Sequence, residues 1–435
     1  MAHRTVGRSV YQALADRLNK FPQGAPPSEL LYKILEMLFS EREAELVSLL
    51  PLRPFSVARA ARAWQVSEAE ARRRLDNLSA KSLLVDMELD GEPAYVLPPP
   101  MAGFFEFSLM RVRADLDQRR LSELFYQYLN VEEDFIRDLF IGSETRVGQV
   151  FVHEPALSAE NALHVLDHAR ASEVIRTATH RAIGLCYCRH KMLHLERACD
   201  APLDICMTFN NAAASLIRHG TARSVGQAEC LDLLEQAYAH ELVQFGENVR
   251  EQVNFICNCC GCCCEAMIAA RKYGLLQPVA TTGFLPVVEQ RTCKGCGRCV
   301  NRCPVEAMTL VSSNEPRRPG RRRAKVDERR CLGCGICVKA CRTGSLRLVH
   351  QGRRVLTPVD TMHRTVLMAM ERGRLQHLIF DDQTLLHHRA LAAVFGVILR
   401  MPPVQQALAS QQLKSRYVER LLTLVKLKMP LHDVS

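Results

Sequence analysis

Nineteen cysteines dominate the chemistry this chain can perform, and all of them lie between Cys186 and Cys341. Cys293, Cys296, Cys299 and Cys303 stand as C-x2-C-x2-C-x3-C, followed by Pro304. Cys331, Cys334, Cys337 and Cys341 repeat that spacing. Three sulfurs at every third residue wrap a tight loop around one centre, with backbone amides aimed at the sulfurs. Such a loop covers only one side, so a fourth sulfur must come from elsewhere. Gly295, Gly297, Gly333 and Gly335 let the backbone pass close to the centre.

Eleven cysteines remain. Cys186, Cys188, Cys199 and Cys206 stand in CYCRHKMLHLERACDAPLDIC. Cys257, Cys259, Cys260, Cys262, Cys263 and Cys264 stand in CNCCGCCC, and Cys230 is alone and reads as a small buried hydrophobe. Thiols this dense oxidise or scavenge metal unless they are ligated. Metal or cluster binding is therefore the economical reading. The first four suffice for one further cluster. The crowded six diverge too much to serve one centre, and Gly261 permits the bend such crowding needs. His190 and His194 are either ligands or proton relays, or simply neighbours of the ligands. Arg189, beside Cys188, would stabilise negative charge on a reduced centre. Zinc is the alternative metal for this region.

The duplicated run resembles the bacterial two-[4Fe–4S] ferredoxins. That resemblance implies that the fourth ligand is exchanged between halves. One cluster would use Cys293, Cys296, Cys299 and Cys341, the other Cys331, Cys334, Cys337 and Cys303. Arg342 stands where the second half often has proline. A pair of zinc ribbons is the alternative. The wider combination, CxCR…C…C, CNCC-x-CCC and a dicluster ferredoxin over roughly 158–350, is similar to a family of cysteine-rich iron–sulfur proteins of anaerobic metabolism. The similarity implies redox chemistry and one or two further clusters within 186–264. Cys259-Cys260-Gly261 also resembles the CCG modules of heterodisulfide-reductase-like proteins, without their longer spacing.

The expected fold is α+β and mostly helical, built to position these loops. An N-terminal arm at 1–27 precedes 28–100, which resembles a winged helix. Ser40 with Glu43, and Ser67 with Glu70, form capping-box patterns, and Asp90-Gly91 marks a hairpin. Arg72, Arg73 and Arg74 would lie on its recognition helix. A helical connector at 101–157, a helical cysteine-rich domain at 158–280, the dicluster domain at 281–352 and a helical region at 353–435 complete the expectation. Strands are expected at 284–289, 308–311, 325–328 and 346–349. A basic loop, 314–330, holds Arg317, Arg318, Arg321, Arg322 and Arg323.

Composition narrows the function classes. The hydrophobic fraction is 48% and the charged fraction 24%, which excludes wholly disordered and fully membrane-embedded chains. No secretory leader is legible, and the longest apolar run, Leu391 to Leu399, is too short to span a bilayer. A reducing cytoplasm is expected, where dense cysteines are ligands rather than staples. The net charge of +10 suits an acidic protein partner, nucleic acid or peripheral association with an anionic membrane, and selects none. There is no G-x-G-x-x-G after a strand and no P-loop, so no flavin or nicotinamide site is legible. The leading expectation is an electron-transfer protein working with a redox partner such as a flavoprotein or reductase. An enzyme would be an iron–sulfur oxidoreductase with its active centre at residues 257–264. A redox-sensing winged-helix regulator ranks third.

Overall fold

The computed structural model describes residues 2–89, 91–313, 320–351, 357–382 and 385–399. Asp90 of the expected hairpin turn, and Arg317 and Arg318 of the basic loop, lie outside the described residues. The content is mixed helix and sheet, as an α+β fold requires. Contacts divide the chain into two units: Met1–Thr145 with Ala214–Ala222 and the residues from Thr361, and Arg146–Ala213 with Arg223–Asp360.

The first unit is built on well-capped helices. Ser28 caps Glu29–Leu38 through the Leu31 amide, and Leu31, Ile34, Leu35 and Leu38 form its buried face. Ser40 and Glu43 complete a reciprocal capping box on Glu41–Ser48. Ser67 accepts from the Glu70 amide at the start of Glu68–Ala80. β1 (Phe55–Ser56), β2 (Val85–Leu89) and β3 (Glu92–Val96) make a small antiparallel sheet in the order β1-β3-β2. The Trp64 indole donates to the Leu46 carbonyl at 2.9 Å, and the Tyr95 hydroxyl to Asp76 at 2.6 Å. Arg72, Arg73 and Arg74 each pair with a carboxylate of their own helix, Asp76 or Glu70.

Asp381 is fully buried and is held by Arg53 (3.2 and 3.1 Å) and Arg59 (2.8 Å). Burial alone would raise its pKa, but the two guanidinium groups outweigh it and hold the carboxyl below its ordinary value. Removing one partner of a buried ion pair strands the other charges. We expect Asp381→Asn to lower the unfolding free energy by about 3–5 kcal/mol in denaturant titrations at pH 7. Wild-type stability from this group is present above the unfolded aspartate pKa of about 3.9. It fades as pH falls through the lower folded value, so the difference between the two proteins shrinks in acid.

The second unit carries all the cysteines. β4 (Gly148–Val150), β5 (Arg181–Gly184), β6 (Cys206–Phe209), β7 (Arg223–Ser224), β8 (Val243–Glu247) and β9 (Phe255–Cys259) form one sheet in the order β4-β8-β9-β6-β5-β7, with every pair antiparallel. Residues 158–280 thus combine helices with a sheet that the sequence-based reading, a helical domain, lacks. The strands are two to five residues long, and cysteine and glycine interrupt the alternation that would mark them. Ile183, Met207, Phe209 and Ile256 point from one face into an apolar core with Ile175, Leu234 and Tyr238, contributed by helices Ala171–Thr177 and Gln227–Ala239. Cys230 is buried in that core.

The dicluster region consists of two strand pairs. β10 (Phe284–Val288) pairs with β13 (Leu346–His350), and β11 (Met308–Ser312) pairs with β12 (Arg322–Val326), both antiparallel. β12 places Arg322 and Arg323 on a strand rather than in the basic loop, and begins three residues before the sequence-based strand. No helix among the described residues is long and apolar enough to cross a membrane.

Candidate metal centre

Each C-x2-C-x2-C loop leads into a one-turn helix, Arg298–Asn301 or Ile336–Lys339, whose N-cap is a glycine at positive φ. Cys293, Cys299, Cys303, Cys337 and Cys341 pack into one small cluster with Met308, Ala324 and Leu346. A cavity beneath the second loop is lined by Cys303, Cys331, Cys334 and Cys337 among apolar neighbours. Burial pushes the Cys331 and Cys334 thiols up to about 11 and about 12, and Cys303 adds to both shifts. In the other half, Cys299 is raised first by burial and then by Cys293, Cys341 and Cys296. Cys303 therefore faces the second loop and Cys341 the first.

Buried thiols held this far from ionisation fit a site whose sulfurs are thiolates only when iron compensates their charge. Backbone amides already aim at sulfur: Gly333 N–H donates to Cys331 Sγ at 3.4 Å and Ala307 N–H to Cys303 Sγ at 3.2 Å. Gly333 has φ +70, and a Cβ there would fall 2.2 Å from the Phe284 carbonyl oxygen. The loop has room only for glycine.

The other ten cysteines, leaving Cys230 aside, separate into two groups, and the strand period explains how. Ile256 points into the core, so Cys257 and Cys259 point to the other face of β9. Met207 opposite Ile256 sets the register, which continues to Cys206 opposite Cys257. Cys264 caps the helix Glu265–Lys272, and its Sγ lies 3.0 Å from Cys259 Sγ. Cys188 shares a hydrogen bond with Cys264, and Cys257 shares one with each of Cys206 and Cys259. Cys186 interacts electrostatically with Cys257 and Cys264. These six sulfurs form an extended array.

The turn after β9 sends Cys260, Cys262 and Cys263 the other way, to meet Cys199 from the loop after helix Tyr187–His194. The expected foursome of Cys186, Cys188, Cys199 and Cys206 is therefore divided: Cys199 joins the compact group and the other three join the array. The reason is tertiary. Cys206 is fixed by strand register, whereas Cys199 lies in a loop free to cross to the turn.

Arg189 is fully buried between the groups. It donates to the Pro202 carbonyl and, at 2.7 Å, to the Asn258 carbonyl, while its buried Nε has no hydrogen-bond partner. Burial opposes its charge, but Cys186, Cys260 and Cys199 more than restore it, so the guanidinium stays cationic. An unsatisfied buried donor on a fixed cation suits an anionic sulfur-rich centre. The His190 and His194 rings lie 4.7 Å apart and tilted by 36°, and no histidine joins the compact sulfur group among the described residues.

Two features escaped the sequence reading. His153 is buried, its backbone N–H donates to the Cys334 carbonyl at 2.8 Å, and both ring nitrogens lack hydrogen-bond partners. Burial, then Lys339, lowers its pKa to about 4, so the ring is neutral. Nothing local marks it, because its neighbour in space is remote in sequence. Gly261 of the crowded run lies against the dicluster loop: a Cβ on it would fall 2.7 Å from the Pro304 carbonyl oxygen and 3.0 Å from Pro304 Cα.

No curated protein and no solved structure matches the chain. Residues 292–345 match the family model of the 4Fe-4S dicluster domain, which implies iron–sulfur clusters in this segment.

Proposed function

We propose that this chain relays low-potential electrons between two [4Fe–4S] clusters in 293–341 and a further iron–sulfur centre on Cys186, Cys188, Cys206, Cys257, Cys259 and Cys264, serving a partner oxidoreductase. The observation that carries this reading is the contact of Gly261 with Pro304. It seats the crowded cysteine run directly on the residue that follows Cys303. When bound, the clusters supply one-electron chemistry. The chain itself supplies loop amides aimed at sulfur, apolar packing that excludes water, and the Arg189 charge that offsets thiolates. Cys296 is exposed and borders a surface cavity with Arg298, Arg302, Arg342 and Glu241; Arg302 pairs with Glu241 at 2.9 Å, and the net positive rim suits an acidic redox partner.

The helix and hairpin order of 29–96 supports a winged-helix module in the other unit. Its three central arginines already have carboxylate partners on their own helix. That favours protein docking over reading DNA.

Iron and acid-labile sulfide on anaerobically purified chain, with electron paramagnetic resonance of the reduced sample, test the relay. Two cubanes account for about 8 iron. We expect more iron than that, matched by sulfide, and signals beyond those of two coupled cubanes. A count of about 8 with only those signals would confine the redox centres to 293–341 and overturn the relay.

A further inference from the structure

The ten cysteines outside the dicluster motif, Cys230 aside, do not form one kind of site. Cys199, Cys260, Cys262 and Cys263 place one sulfur each within 4.8 Å of all the others. Cys262 Sγ lies 3.7 Å from Cys263 Sγ, and Cys263 Sγ lies 4.0 Å from Cys199 Sγ. A four-thiolate zinc ion has Zn–S bonds of about 2.3 Å, so the edges of its sulfur tetrahedron are about 3.8 Å. A cube of iron and sulfide holds its four thiolates further apart, because the cluster itself fills the space between them. Among the described residues only these four cysteines meet the single-ion spacing. Neither half of the dicluster motif does, nor does the extended array.

We propose that Cys199, Cys260, Cys262 and Cys263 hold one tetrahedral metal ion, Zn2+, separate from the iron–sulfur clusters. The site is closed, with four protein sulfurs and no open position, which is the structural rather than the catalytic type. Its position gives it a role. Cys260 and Cys262 flank Gly261, the residue seated on Pro304, and Cys199 ties that turn to the loop after helix Tyr187–His194. The ion pins the crowded turn in the shape that contacts the dicluster loop. Arg189, buried beside Cys260 and Cys199, offsets the net negative charge of a four-thiolate zinc. The inference does not rest on the electron relay, since it would hold equally in a protein whose array bound no cluster.

The test is zinc, iron and acid-labile sulfide per chain, with zinc K-edge X-ray absorption, on full-length protein purified anaerobically from medium containing both metals. We expect about one zinc with four sulfur neighbours at about 2.3 Å. Cys262 is exposed, so Cys262→Ser should fold. We expect that variant to lose the zinc, or to exchange one sulfur neighbour for a lighter atom, with sulfide per chain unchanged. One iron in excess of sulfide, lost in the same variant, would support the single-ion geometry with a different metal. Wild-type protein with neither zinc nor excess iron would overturn the proposal. So would a fall of about four sulfide per chain in Cys262→Ser, which would mark a cubane. The wild-type absorption measurement decides the matter even if the variant does not fold.

Discussion

Arg189→Met will strip the iron from the buried array and leave the iron of residues 293–341 in place. The guanidinium is fully buried, and it is the cation that Cys186 of the array shares with Cys260 and Cys199 of the compact group, so zinc is measured alongside iron. Removing it leaves anionic sulfur in a low-dielectric interior with nothing to offset it, which is the costly half of breaking a buried charge pair. It also orphans the buried Asn258 carbonyl, at about 1–3 kcal/mol, and removes the donor to the part-buried Pro202 carbonyl. If the array holds a four-iron centre, iron should fall from about 12 to about 8 per chain, with the coupled-cubane signals intact. Arg189→Lys separates charge from geometry. It restores the cation but not the planar fork that reaches two carbonyls at once, so partial iron retention is expected. Full iron in Arg189→Met would show that the array needs no compensating cation. Loss of the dicluster signals as well would show that the damage is general unfolding.

What could be read from the sequence divides along the line between local and tertiary determinants. The duplicated C-x2-C-x2-C-x3-C is a local pattern whose spacing alone specifies a loop, and the dicluster match falls on it. The helix caps at Ser40 and Ser67 are local too: Ser40 and Glu43 form the full capping box, whereas Ser67 caps its helix without a return bond from Glu70, whose carboxylate is taken by Arg73 and Arg74. The six-stranded sheet was not legible. β5 reads RAIG and β9 reads FICNC, too short and too rich in glycine and cysteine to show an alternation. The partition of the crowded cysteines depends on that hidden sheet. Cys257 and Cys259 share a face because β9 is a strand, and Cys206 meets them because β6 pairs with β9 at one register. A helical reading of the same residues has no means of separating Cys259 from Cys260. Gly261 was legible as a bend, but its neighbour Pro304 was not, since only the folded chain brings them together.

That neighbour makes Gly261→Val the sharpest test of whether the two sulfur systems communicate. The atoms a side chain would strike are the Pro304 carbonyl oxygen at 2.7 Å, Cα at 3.0 Å and carbonyl carbon at 3.2 Å. All three are backbone, so no rotamer change relieves the clash, and Pro304→Ala should not rescue the variant. Overpacking of this kind costs about 1–3 kcal/mol, which the unit can survive by letting the turn move off the loop. The expected result is a folded protein with its dicluster signals intact and a broken electronic connection. Mixed rapidly with a low-potential donor, the wild type should reduce all its iron in step. The variant should show a fast phase for the dicluster iron and a separate slow phase for the rest. Zinc measured in the same samples tells whether the turn lost its metal or merely its seat on Pro304. A variant that keeps all its metal and reduces in one phase at the wild-type rate would mean that electrons enter the array by another face. The Gly261–Pro304 contact would then be packing alone.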